Sequence, residues 1–181
     1  HYSYLFYNKS LLFGEGMYLS VLSKEFNGDA IKCDTNGAFM RDFGIAGNGG
    51  TYTGGGIRPR GYNISLTNLR INDTADCPII VEGAVGSNAL AATYLKVLDC
   101  FLLPTNSATT YAVRSTTADD STRPTVRAFS HISGGGSLID FSGMNYAVLE
   151  NSLGTIFKDD ANTSKIVLQG NRFTNTVSLT I

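Results

Sequence analysis

The sequence predicts an all-β solenoid, a right-handed parallel β-helix with three strands per coil and about six to eight coils. Three observations predict it. An apolar template recurs at intervals of 20 to 31 residues. Short strand-like runs, each bounded by Gly, Asn, Asp or Ser, follow the copies. Long stretches of good helix formers are missing from a chain with 20 Gly and no Trp, which turns often.

The template puts apolar residues at offsets 0, +2, +5 and +7, as in Ala38, Met40, Phe43 and Ile45. It returns as Ile64, Leu66, Leu69, Ile71 and as Leu95, Val97, Cys100, Leu102. Two further copies read Tyr146, Val148, Asn151, Leu153 and Ile166, Leu168, Asn171, Phe173, with a weaker one around Thr125 to Ile132. Side chains alternate along a strand, so 0 and +2 face inward on one short strand, the chain bends, and +5 and +7 face inward on the next. Asn at a bend tolerates left-handed backbone and hydrogen-bonds along a stack of similar turns. Third strands are expected in PIIVEG, TYAVRS, SLIDFSG, GTIFKD and NTVSLTI. The intervening AGNGGTYTGGGIRPRG and PTNSATTYAVRSTTADDSTRP read as loops bulging from one face, where solenoids place binding surfaces. An Ig-like or jelly-roll sandwich is the alternative, but it does not require the repeated two-pair template.

Residues 1–26, aromatic and patchy, are expected to be an N-terminal entry or capping segment, and residues 27–181 the β-helix domain. The first residue is His1, so the chain is expected to be a piece of something longer. The 14 Lys and Arg against 15 Asp and Glu give a net charge of −1, with no basic field to attract nucleic acid. No run of about 18 apolar residues offers a membrane span. Cys33, Cys77 and Cys100 form no CxxC pair and have only two His to join them, so buried reduced thiols are expected rather than a zinc site. That expectation suits assembly in a reducing cytosol.

The stretch GDAIKCDTNGAFMRDFGIAGNGG, with NISLTNLRI and IVLQGNRF, resembles the coils of the pectate-lyase-like β-helix superfamily, in particular bacteriophage tailspikes and tail fibres, between Asn27 and Ile181. The resemblance implies a homotrimer in a virion tail, assembled in the host cytoplasm beside other tail proteins and acting extracellularly on bacterial surface polysaccharide. Some members also cleave that polysaccharide. The clustered Asp and partnered Arg of calcium-binding pectate lyases cannot be placed on this sequence residue by residue, so no metal or other cofactor is expected.

Glycan cleavage needs paired carboxylates. Offset +4 of the template holds Asp42, Asn68, Asp99, Glu150 and Gly170, a column along one bend. Asp99 and Glu150, two strand spacings or about 10 Å apart, are the candidate catalytic pair. The competing reading is that bends favour Asp and Asn for their turn geometry. Asp119, Asp120, Asp159, Asp160 and His131 are weaker candidates, without a partner motif nearby. For binding, Tyr52, Tyr62, Tyr94 and Tyr111 fall in or beside the long loops, with Arg58 and Arg60 close by. Aromatic faces with a few polar forks suit sugar rings, and they equally suit a subunit interface. Two function classes follow: a structural, receptor-binding tail module, or a polysaccharide depolymerase acting on capsule or lipopolysaccharide.

Overall fold

A computed structural model describes residues 4–6, 10–82, 92–106, 111–116, 125–130, 137–140, 144, 146–154, 156–158 and 165–173. Among them the regular elements are all strands, with no helix. In chain order the first are β1 (Tyr4–Phe6), β2 (Leu11–Phe13), β3 (Val21–Ser23), β4 (Ile31–Asp34), β5 (Phe39–Ala46) and β6 (Ile57–Arg60). There follow β7 (Ser65–Thr74), β8 (Ile79–Glu82), β9 (Thr93–Leu98), β10 (Phe101–Pro104), β11 (Tyr111–Thr116) and β12 (Thr125–Ser130). The last are β13 (Ser137–Asp140), β14 (Tyr146–Glu150), β15 (Leu153–Gly154), β16 (Ile156–Lys158), β17 (Lys165–Gln169) and β18 (Arg172–Phe173).

Every ladder between these strands is parallel. One sheet runs β1-β4-β6-β8-β11-β13-β16 and the other β2-β5-β7-β9-β12-β14-β17. β3 joins β5, β10 joins β7, and β15 pairs with β18 apart from both. Parallel neighbours cannot be joined by a hairpin, and here the connection to each next neighbour passes through the other sheet. The strands expected in PIIVEG, TYAVRS, SLIDFSG and GTIFKD are β8, β11, β13 and β16, all in the first sheet. NTVSLTI lies outside the described residues. Within the expected entry segment, β1 pairs with β4, while β2 and β3 pair with β5.

The inward rows explain the core. Ile31, Ile57, Ile79 and Val113 are in register across the first sheet, and Met40, Leu66 and Val97 across the second. All belong to one apolar cluster. Each fully buried Ile or Leu contributes roughly 1.5–3 kcal/mol relative to exposure. The first three template copies are buried at all four positions.

The fourth copy is displaced by one residue. Ala147, Leu149 and Ser152 are buried, as is the predicted Val148, whereas Asn151 and Leu153 are exposed. Ala147 and Leu149 pair with Ile166 and Leu168, which keeps the fifth copy in its expected register. Leu168 nevertheless remains 36% exposed, on the last strand of its sheet.

The bend column is therefore Asp42, Asn68, Asp99, Asn151 and Gly170, at φ values of 62°, 51°, 54°, 46° and 64°. All five occupy the left-handed region, which Asn, Asp and Gly enter most readily. The Asn68 Nδ2 group donates to Asp42 Oδ1 at 2.7 Å, tying neighbouring bends together.

The Gly-rich run expected as a loop is instead laid against the backbone of its neighbours. The Gly49 N–H donates to the Asp73 carbonyl at 2.6 Å, and the Asp76 N–H to the Gly54 carbonyl at 3.1 Å. Gly54, at φ 97°, passes so close to the Gly28 backbone that no Cβ fits. The run leads into β6, so IRPR is a strand and not part of the loop. Pro59 lacks an N–H on the side facing β8, and the β6–β8 ladder is confined to Ile57 and Ile79.

Candidate functional site

Strand alternation in the first sheet buries Ile31 and Cys33, Ile57 and Pro59, Ile79 and Val81, and Val113 and Ser115. The residues between them form two rows on the outer side. Lys32, Arg58, Ile80 and Arg114 are neighbours in one, and Asp34 pairs with Arg60 in the other, which Glu82 extends. The sheet thus carries a charged band, in which the Asp34, Arg60, Glu82 row alternates in sign while Lys32 lies beside Arg58 in the other.

Each guanidinium in the band meets carboxylates. Arg58 Nε lies 2.5 Å from Asp29 Oδ2, and its Nη1 lies 3.7 Å from Glu82 Oε1. Arg60 binds Asp34 through both Nε and Nη2, and its Nε is 3.4 Å from Glu82 Oε2. Farther along, Arg114 Nη2 donates to Asp76 Oδ2 at 2.8 Å. Asp29 is itself fixed by the Gly55 N–H, which donates to Oδ1 at 2.9 Å.

The pKa values of both central arginines are raised. For Arg58, burial works against the charge but is outweighed by the hydrogen bond to Asp29 and the charges of Asp29, Glu82 and Asp76. For Arg60, the hydrogen bond to Asp34 leads, and burial opposes it. Glu82 Oε2 and Arg114 Nε are buried and make no hydrogen bond within the described residues, Glu82 Oε2 keeping its ion pair with Arg60.

Beyond Arg60 the chain turns a corner at Tyr62, which bridges in parallel to Thr93. Tyr62 and Tyr94 meet edge to face, with ring centroids 5.1 Å apart and planes at 65°. They are 52% and 42% exposed. Asn36 Oδ1 accepts from the Tyr62 N–H at 2.9 Å and holds this corner in place. Of the predicted binding residues, the structure gathers Arg58, Arg60, Tyr62 and Tyr94 along this band and its corner.

The other two sit elsewhere. The Tyr52 ring faces Lys24 Nζ at 5.9 Å and the Phe26 ring faces it at 5.6 Å, and the same ammonium donates to the Thr53 carbonyl at 2.7 Å. Burial lowers the Lys24 pKa and the Asp29 charge partly opposes it. Tyr111 is half-buried on β11, and its phenol pKa is raised by burial first and then by Asp140 and Cys77.

Asp99 lies in the bend column, whereas Glu150 is the last residue of β14 and precedes the column residue Asn151. Glu150 pairs with Ser130, and Ser130 with Leu98, so two strand spacings, about 10 Å, separate the two acidic positions, offset by one residue. Asp119, Asp120, Asp159, Asp160 and His131 lie outside the described residues.

The sequence reading missed Asp29, Asp34, Asp76, Glu82 and Arg114. For Asp34 and Glu82 a signal was available in IKCD, IRPR and IIVE, tetrapeptides that share apolar first and third positions and a charged fourth, whereas Asp29, Asp76 and Arg114 lie outside them. Among the described residues no three His, Cys, Asp or Glu gather as metal ligands do. A general acid needs surroundings that keep its proton, such as an apolar pocket or a like charge. Glu82 stands between two guanidinium groups, an environment suited to accepting hydrogen bonds. Comparison of the chain with family models, with curated proteins and with solved structures finds no match.

Proposed function

We propose that this chain is a stretch of right-handed parallel β-helix from a tail module of the bacteriophage tailspike and tail-fibre kind, forming a rigid shaft that binds bacterial surface polysaccharide. The single observation that carries the binding reading is the exposed Tyr62–Tyr94 pair, with Tyr62 two residues beyond Arg60 of the charged band. Sugar rings present C–H faces and hydroxyl edges, which match aromatic faces and charged hydrogen-bonding groups respectively. The winding is supported by strands that alternate between two parallel sheets around one apolar cluster.

Assembly as a homotrimer, beside other virion tail proteins and acting outside the cell, belongs to the same reading. Leu11, Phe13, Tyr18, Leu19, Val21 and Phe39 are all exposed, an amount of apolar surface that association would cover. Cleavage is the second reading, favoured by the spacing of Asp99 and Glu150. Incubating the protein with capsule and lipopolysaccharide preparations, and reading both retention and new reducing or unsaturated ends, separates the two. Retention without new ends is the expected result. New ends identify a depolymerase, and no retention contradicts the binding reading.

A further inference from the structure

We infer that the Tyr62–Tyr94 corner is a stacking subsite for a saccharide ring, and that Tyr94 is held there against the preference of its own backbone. The inference rests on the polysaccharide reading above and assigns it a particular place.

Three corner positions follow one another across adjacent strands. The Gly37 N–H donates to the Tyr62 carbonyl at 2.8 Å, and the Asn63 N–H to the Thr93 carbonyl at 2.8 Å, so Gly37, Asn63 and Tyr94 occupy equivalent places. All three are left-handed, with φ of 78°, 56° and 55°. Gly carries no Cβ and Asn is the side chain most tolerant of this region, so the first two fit the turn. A bulky aromatic at positive φ is an outlier, and such outliers concentrate where function over-determines the backbone.

The edge-to-face contact with Tyr62 accounts for only part of the choice. A tyrosine kept for stability buries its ring, yet Tyr94 is 42% exposed and its aromatic partner Tyr62 is 52% exposed. The two rings pack edge to face at 65°, and their exposure leaves aromatic surface available from solvent. Tyr52 makes the contrast, because its ring faces the buried Lys24 ammonium and is spent on an internal contact. Exposed aromatic surface two residues along the chain from Arg60, which is itself paired with Asp34 and Glu82, suits the C–H face of a pyranose whose hydroxyls reach toward charged groups.

The test compares wild type with Tyr94→Asn, Tyr94→Phe and Tyr62→Ala, reading thermal unfolding and retention by the same capsule and lipopolysaccharide preparations. Tyr94→Asn is expected to unfold at a higher temperature while losing roughly tenfold or more in affinity, the two effects moving in opposite directions. Tyr94→Phe keeps the ring and is expected to retain binding, and Tyr62→Ala to lose it. A lower unfolding temperature for Tyr94→Asn shows the ring to be structural and overturns the inference. Binding that survives both Tyr94→Asn and Tyr62→Ala overturns it while leaving the polysaccharide reading intact. Wild-type protein that retains none of the preparations removes both.

Discussion

Cys33, Cys77 and Cys100 have their thiol pKa values pushed up to about 12, in each case by burial first. Nearby carboxylates, Asp34 for Cys33 and Asp99 for Cys100, act in the same direction. The thiols are 0%, 1% and 1% exposed, as the lack of a CxxC pair or a ligand set suggested from the sequence. A thiol that keeps its proton longer in the folded state stabilises the fold below the unfolded pKa of about 8.5 and loses that contribution as pH rises toward the folded value. Stability should therefore fall between pH 9 and pH 12, and a variant with all three cysteines replaced by Ala or Val should show a shallower fall in urea titrations across that range. Equal pH dependence in the two proteins would refute the assignment. The binding residues were less legible at this scale. Tyr62 and Tyr94 were recognisable as aromatics near loops, but their meeting depends on a bridge between Tyr62 and Thr93 that no local pattern encodes.

At the scale of elements, the two-arm repeat was readable wherever its polar positions were unambiguous. In the second copy Ser65 and Arg70 separate the apolar residues of both pairs, and in the third Lys96 separates Leu95 from Val97, which fixes the face. The fourth copy opens with Tyr146, Ala147, Val148 and Leu149, which are apolar on both faces, so alternation alone does not select between registers. Asn151 does select, because aligning it with Asp42, Asn68 and Asp99 makes every bend left-handed and buries Ala147 and Leu149. Pattern also says little about where a stack opens to solvent. Leu66 is 0% exposed between flanking strands, whereas Leu168 is 36% exposed on β17. Leu66→Ala should cost roughly 2–5 kcal/mol and Leu168→Ala well under half as much, measured by urea unfolding. Similar losses from the two substitutions would contradict the burial described.

For the whole molecule, the outward charge band exists only because strands distant in sequence lie side by side in parallel register. Asp29, Arg58 and Glu82 come from three separate segments and meet through two guanidinium contacts. The band was hidden in the sequence because Pro59 and the flanking glycines made IRPR look like loop, whereas Pro59 falls where its missing N–H shortens a ladder without abolishing the strand. The corner and the band both depend on that register. The binding account therefore stands or falls with the parallel stacking that places Tyr62 beside Tyr94.

The most direct test is a disulfide cross-link between paired outward positions of β7 and β9. Ser65 and Lys96 are register partners, and neighbouring parallel strands bring such Cα atoms to about 5 Å, within the range a disulfide spans. The three native thiols are buried and do not compete. The Ser65→Cys/Lys96→Cys variant should oxidise readily and migrate as a closed loop on a denaturing gel. The displaced control Ser65→Cys/Leu98→Cys, with its Cα atoms beyond about 7 Å, should stay reduced. Equal cross-linking in the two variants, or a preference for the displaced pair, would contradict the register on which the stacked fold, the charge band and the aromatic corner rest.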